Sequence, residues 1–199
     1  MKKAFPWFYI FFALIWILAM IPVLVSPPEA GLWTWSALLR YAGLAGFGMV
    51  FLSLLGAYIK EWQYQQTKKP FIESHHLLVR TGWVLMLLHP LALVFQTGRW
   101  QIFLPLYDSF QTFLRMGGKV ALIVFTVGVL VAVLRKYLKG WKIVHMLQLI
   151  AFLLAGIHAW LIGSDFKTLP AQIILALMMA SPLLLFFKNT KRFKYLLKN

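Results

Sequence analysis

Cysteine is absent from this chain, and acid is scarce: five Asp and Glu stand against 20 Lys and Arg. Without cysteine there are no disulfides, no iron–sulfur clusters and no thiolate chemistry. Charge of either sign makes up 13% of the 199 residues, about half the ~25% of a soluble domain. Hydrophobic residues make up 61%, and mean hydropathy is +0.77. That excess is too large to bury in one soluble core. A soluble globular enzyme, a disordered chain and a collagen-like chain are therefore excluded. What remains is an integral membrane protein. One span takes ~20 apolar residues, so this length holds about six with short loops.

Six apolar segments fit that expectation, at roughly 5–26, 36–59, 74–96, 117–137, 143–163 and 169–187. Lipid cannot satisfy an open backbone, so each is predicted to be helical. The sixth opens at Pro170, a tolerated first-turn position, and carries Pro182 as a candidate kink. The first reads as a retained span rather than a signal peptide: its apolar run is long and no A-x-A site follows it. The stretch 97–116, TGRWQIFLPLYDSFQTFLRM, is neither span nor polar loop. Trp100, Phe103, Leu104 and Tyr107 suit either an interfacial connection or a cover over an external site.

The net charge of +15 would suit nucleic acid, but the basic residues sort by loop instead. Fourteen of the 20 precede the first span, follow the sixth, or lie between spans two and three or four and five. Among them are Lys60, Lys68, Lys69, Arg135, Lys136, Lys139 and Lys142. The positive-inside rule then puts both termini in the cytoplasm, with membrane lipid as a further partner of these charges and no nucleic acid.

The five histidines concentrate on two segments. His75, His76 and His89 belong to the third span, His145 and His158 to the fifth. Ionisable groups inside a bilayer are costly and usually functional. His75 and His145 sit near the cytoplasmic ends of their spans; His89 follows 14 residues later and His158 follows 13 residues later. Each pair is thus ~20 Å apart along its helix. Two neighbouring spans would offer facing imidazoles at an inner and an outer level. Zinc asks for three or four ligands in one place, so two at each of two levels suit bis-histidine haem better. At 100° per residue a step of 14 returns to within ~40° of the same face, which favours His75 over His76 as the ligand. The step of 13 on the fifth span misses by ~140°.

The run WKIVHMLQLIAFLLAGIHAW (141–160) resembles the fifth helix of ferric reductase-like transmembrane domains, and HHLLVRTGWVLMLLHPL (75–91) resembles the third. That superfamily includes NADPH oxidases, ferric reductases and the haem-bearing membrane subunit of the bacterial methionine sulfoxide reductase system. The resemblance covers roughly residues 36–187. It implies an all-α fold: a six-helix transmembrane bundle holding haem between the third and fifth helices. It also implies haem b, two groups or one, with His75 and His145 at the inner site and His89 and His158 at the outer. It implies a bacterial cell membrane as the location. Relatives often carry Gly four residues after the first His, where this chain has Val79 and then Gly82. Larger relatives add flavin and NADPH domains after the sixth span; KNTKRFKYLLKN is too short for one.

Other residues bear on the same reading. Arg80 between the His levels suits either a haem propionate or the headgroups. Arg40 near the outer end of the second span suits a propionate or an interfacial anchor. GLAGFG (43–48) follows no strand of a βαβ unit, so it reads as close helix approach and not as a dinucleotide loop. Trp141 reads as an interface anchor or a relay for incoming electrons, and Phe152 as core packing or a spacer between macrocycles. The expected function is transmembrane electron transfer. The donor is a separate flavin reductase, its FMN or FAD, or a quinol; the external acceptor is ferric iron, oxygen or a partner protein. The competing reading is a histidine-lined transporter or assembly subunit, which would favour intramembrane carboxylates. The five acids, Glu29, Glu61, Glu73, Asp108 and Asp165, lie in or near loops.

Overall fold

In the computed structural model, residues 35–104 and 108–188 are described, together with residues 10, 13–17 and 21. Five long helices carry the architecture. They are α1 (Trp35–Gly56), α3 (Phe71–Thr97), α5 (Gly117–Val133), α6 (Trp141–Ile162) and α7 (Leu169–Lys188). Two short helices, α2 (Lys60–Thr67) and α4 (Phe110–Arg115), lie in the connections, as do 3₁₀ turns at Trp100–Phe103 and Ser164–Phe166. Among the described residues there is no strand.

Four of these helices are long and apolar enough to cross a membrane: Leu39–Gly56 within α1, then α3, α6 and α7. Helix α5 is apolar but has 17 residues, about 25 Å of rise and at the short end of what spans. The first expected span, 5–26, falls largely outside the described residues. The chain is thus an all-helical protein with the helices of a membrane protein. Within 97–116, the expected single segment is a 3₁₀ turn and α4, with Trp100, Leu104 and Phe110 all exposed.

The boundaries follow local chemistry. Helix α3 ends at Gly98, whose φ of 69° lets its N–H close on the Val94 carbonyl at 2.7 Å. Gly140, φ 77°, turns the chain into α6. The second expected span stops at Gly56, and the residues assigned to its end enter the turn before α2. Helix α7 opens around Pro170 as expected and continues through Pro182, which is fully buried.

Helix α1 packs closely along α3, and α5 closely along α6. The first pair meets through glycine: a Cβ on Gly46 would lie 2.7 Å from the Gly82 carbonyl oxygen. GLAGFG therefore serves helix approach. In the second pair Gln148 donates to the Val124 carbonyl at 2.9 Å, over the space left by Gly128. The two pairs join through a core of Phe47, Phe51, Phe125, Phe152, Leu175 and their neighbours. Phe152 is fully buried and stacks on Phe47 at 4.4 Å, so it packs the core. Helices α3 and α6 have little close backbone contact with each other. Side chains fill the interval between them, and the histidines are among those side chains.

Candidate functional site

At one end of the interval, His75 of α3 and His145 of α6 face each other with ring centres 5.9 Å apart and planes at 79°. Ser53 of α1 meets His75 Nδ1 at 2.7 Å and is itself buried. His145 Nδ1 is buried and makes no hydrogen bond of good geometry, although it faces the Gly128 backbone. Trp141, one turn before His145, lies 5.9 Å from it, and Phe71 lies 5.3 Å from His75. His76 stands beside His75, ring centres 5.9 Å apart and planes tilted by 48°.

At the other end lie His89 of α3 and His158 of α6. His89 Nδ1 reaches the Leu39 carbonyl of α1 at 2.9 Å. His158 Nδ1 reaches the Arg115 carbonyl at the end of α4 at 2.6 Å. A carbonyl only accepts, so both Nδ1 atoms carry the proton, and in the neutral ring Nε2 keeps its lone pair. Glycine makes room for both rings. A Cβ on Gly43 would lie 3.2 Å from the His89 ring, and one on Gly118 would lie 2.7 Å from the His158 ring. Among the described residues, none of these four histidines makes a hydrogen bond through Nε2.

The offset of 13 residues on α6 is accommodated by α5 and its approach. His145 lies against the Gly128 end of α5, and His158 against Gly118 at its start. His158 is held from outside α6 by the Arg115 carbonyl, so the two rings need not share a stripe. On α3 both ligand candidates turn toward α1, as the 14-residue step predicts.

The two arginines fall elsewhere. Arg40 is half-buried and pairs with buried Asp165 in the turn between α6 and α7, its Nε donating to Oδ1 at 2.7 Å and its Nη2 to the same oxygen. Arg80 is exposed on α3, ~140° around the helix from His75. Sequence reading missed the Arg40–Asp165 pair because Asp165 looked like an ordinary loop acid. It also missed Ser53, Gly43 and Gly118, whose value lies in what they face. Their depth in the spans, level with one histidine or another, is the signal that would have found them.

Chemically, each end presents two imidazoles on separate helices, and three of the four have Nδ1 engaged by a neighbouring element. No group of three or more His, Asp or Glu placed to hold a metal occurs among the described residues. Two nitrogen donors at each level are fewer than a tetrahedral metal site takes. No family model, curated protein or solved structure matches the chain.

Proposed function

We propose that this chain is a haem-containing transmembrane electron-transfer protein of the ferric reductase-like kind. It would take electrons from a cytoplasmic donor and deliver them to an acceptor outside. The observation that carries the reading is the anchoring of the imidazoles. A histidine that ligates through Nε2 commonly gives its Nδ1–H to a carbonyl or similar acceptor, which fixes the ring and makes it a better donor. His89 and His158 have that arrangement through Leu39 and Arg115. His75 has Ser53, and His145 has an unmet buried Nδ1 beside Gly128.

The ring pairing fits as well. Two imidazoles that face each other from separate helices would be the residues to hold one haem iron, which would supply the redox chemistry. His75 and His145 stand at 5.9 Å. His75 and His145 would hold one haem b, and His89 and His158 the other. Bound there, haem supplies reversible one-electron chemistry. The protein's own residues do the rest. Leu39 and Arg115 hold the outer rings, Gly43 and Gly118 give them space, and the Phe47–Phe152 stack excludes water between the levels. Arg40 is engaged by Asp165, so its role is to tie α1 to the turn after α6.

The donor would be a separate flavin reductase, its FMN or FAD, or a quinol. The acceptor would be ferric iron, oxygen or a partner protein. The test is an absorption spectrum of purified protein, oxidised and reduced, with pyridine haemochrome quantification. Low-spin b-type bands at two haems per chain, or one, are expected. Protein folded in detergent with no haem bands after haem-supplemented expression would refute the reading.

A further inference from the structure

One half-buried amide stands inside a span and belongs to neither histidine pair. Gln148 is the single side-chain amide of α6, and a polar group at that depth is costly unless it is bonded. Its Nε2 donates to the Val124 carbonyl of α5 at 2.9 Å. In a helix that oxygen already accepts the N–H four residues on, here that of Gly128, so Gln148 takes its second lone pair. Gly128 makes the contact possible: it is buried, and a Cβ there would fall on the Gln148 amide. The bond therefore fixes both the depth and the roll of α6 against α5 at one point.

That point is one turn from a ring that needs holding. His145 precedes Gln148 by three residues, ~4.5 Å along the axis and ~60° around it, so both project to the same side of α6. His75, His89 and His158 have Nδ1 engaged by Ser53, the Leu39 carbonyl and the Arg115 carbonyl. His145 differs: its Nδ1 is buried and makes no hydrogen bond of good geometry. Its ring nevertheless stands 5.9 Å from that of His75. Without a bond of its own, the ring is placed by the backbone that carries it, and Gln148 locates that backbone. Trp141 also lies 5.9 Å from the ring, but it belongs to the same helix and cannot set where α6 stands against its neighbours.

We propose that Gln148 is a positioning residue for His145: through the Val124 carbonyl and the gap at Gly128 it holds α6 so that the His145 imidazole faces His75. Its purpose rests on the proposed function, since the paired imidazoles serve there as haem ligands, but the positioning does not need haem to be bound. A step of 13 residues leaves His145 and His158 on different stripes of α6. Gln148 locks one end of the helix as the Arg115 carbonyl locks the ring at the other.

The test uses the full chain in detergent. Gln148→Met keeps an unbranched side chain and removes the donor; Gly128→Ala puts a methyl where the amide lies. In each, haem affinity at the His75–His145 level should fall about tenfold, the low end of what loss of an outer-shell partner costs, read as faster haem transfer to excess apomyoglobin. The low-spin electron paramagnetic resonance signal of that level should shift, and that of the His89–His158 level should not. Both variants break one contact, so the double variant should be no worse than the more affected single one. In protein prepared without haem, the nitrogen resonances of the His145 ring should move in Gln148→Met while those of His89 and His158 stay. Should Gly128→Ala misfold, Gln148→Met decides the matter alone. Well-folded Gln148→Met with unchanged haem transfer and unchanged His145 resonances would overturn the proposal. So would equal losses at both levels, or a lower melting temperature with neither readout moved, which would leave Gln148 as a packing residue. Haem bands absent from the wild type, with the His145 resonances still moving, would sink the electron-transfer reading and keep the positioning.

Discussion

A histidine in a bilayer is useful as a ligand only when its ring is held, and here three of the four rings, those of His75, His89 and His158, are held by a helix other than their own. His89 leans on α1 through Leu39, and His158 on the end of α4 through Arg115. If the proposed function holds, His89→Ala and His158→Ala should each remove one low-spin haem signal, since each would delete one of the two residues proposed to hold that haem. On the proposed reading, His76→Ala should leave haem content unchanged, because His76 lies about 100° around α3 from His75. Haemochrome counts on the three variants decide this; loss of haem in His76→Ala with none in His75→Ala would reverse the choice between neighbours. Gly118→Val offers a test without touching a ligand. Its side chain would occupy space now 2.7 Å from the His158 ring. The outer haem should be lost and the inner one kept. The Arg40–Asp165 pair is a matter of stability. Asp165→Asn leaves a half-buried guanidinium without its counter-charge and should lower stability by about 1.5–3 kcal/mol, read as a fall in melting temperature with haem ligation intact.

At the scale of the element, glycine sets how close helices come. Gly46 and Gly82 bring α1 against α3 at backbone contact. Gly46→Leu would drive a side chain into the Gly82 carbonyl and should cost at least the 1–3 kcal/mol usual for overpacking. Gly98→Ala makes a clean contrast: nothing lies within 4 Å, so only its φ of 69° is strained, at about 1–2 kcal/mol. Thermal melts of both should rank Gly46→Leu well below Gly98→Ala. Much of this level was readable beforehand. Apolar runs located α3, α6 and α7 to within a few residues, because hydropathy and backbone satisfaction in lipid leave helix as the one solution. The 14-residue step on α3 was readable because helical phase is a property of one segment. The 13-residue step on α6 was not, because its resolution depends on Gly118 and Gly128 of another helix. Arg40 shows the same limit: its partner is 125 residues away, and no local pattern announces such a pairing.

The whole molecule joins two tight helix pairs, α1 with α3 and α5 with α6, across an interval lined by histidine. On the proposed reading, that interval would carry the electron, and the donor would be a separate component. A Rossmann-type dinucleotide site needs a strand leading through a Gly-rich turn into a helix, and the described residues contain no strand. On the proposed reading, the purified protein should be reduced by dithionite and not by NADH or NADPH alone. Addition of a flavin reductase or a quinol should restore reduction. Which face the donor uses follows from charge: reporters fused at the C-terminus should be active only as cytoplasmic fusions, and those at Asp165 only as external ones. If the donor is an acidic protein or an anionic flavin, it meets Lys60, Lys68, Lys69, Lys136, Lys139 and Lys142 on the cytoplasmic side. Its contact is then electrostatic, and reduction should slow as salt shortens the Debye length from about 10 Å at 0.1 M toward 3 Å at 1 M. Stopped-flow traces at haem wavelengths give both results from one preparation. Rapid reduction by NADPH in protein shown to be free of any other chain would sink the two-component scheme while leaving the histidine ligation untouched.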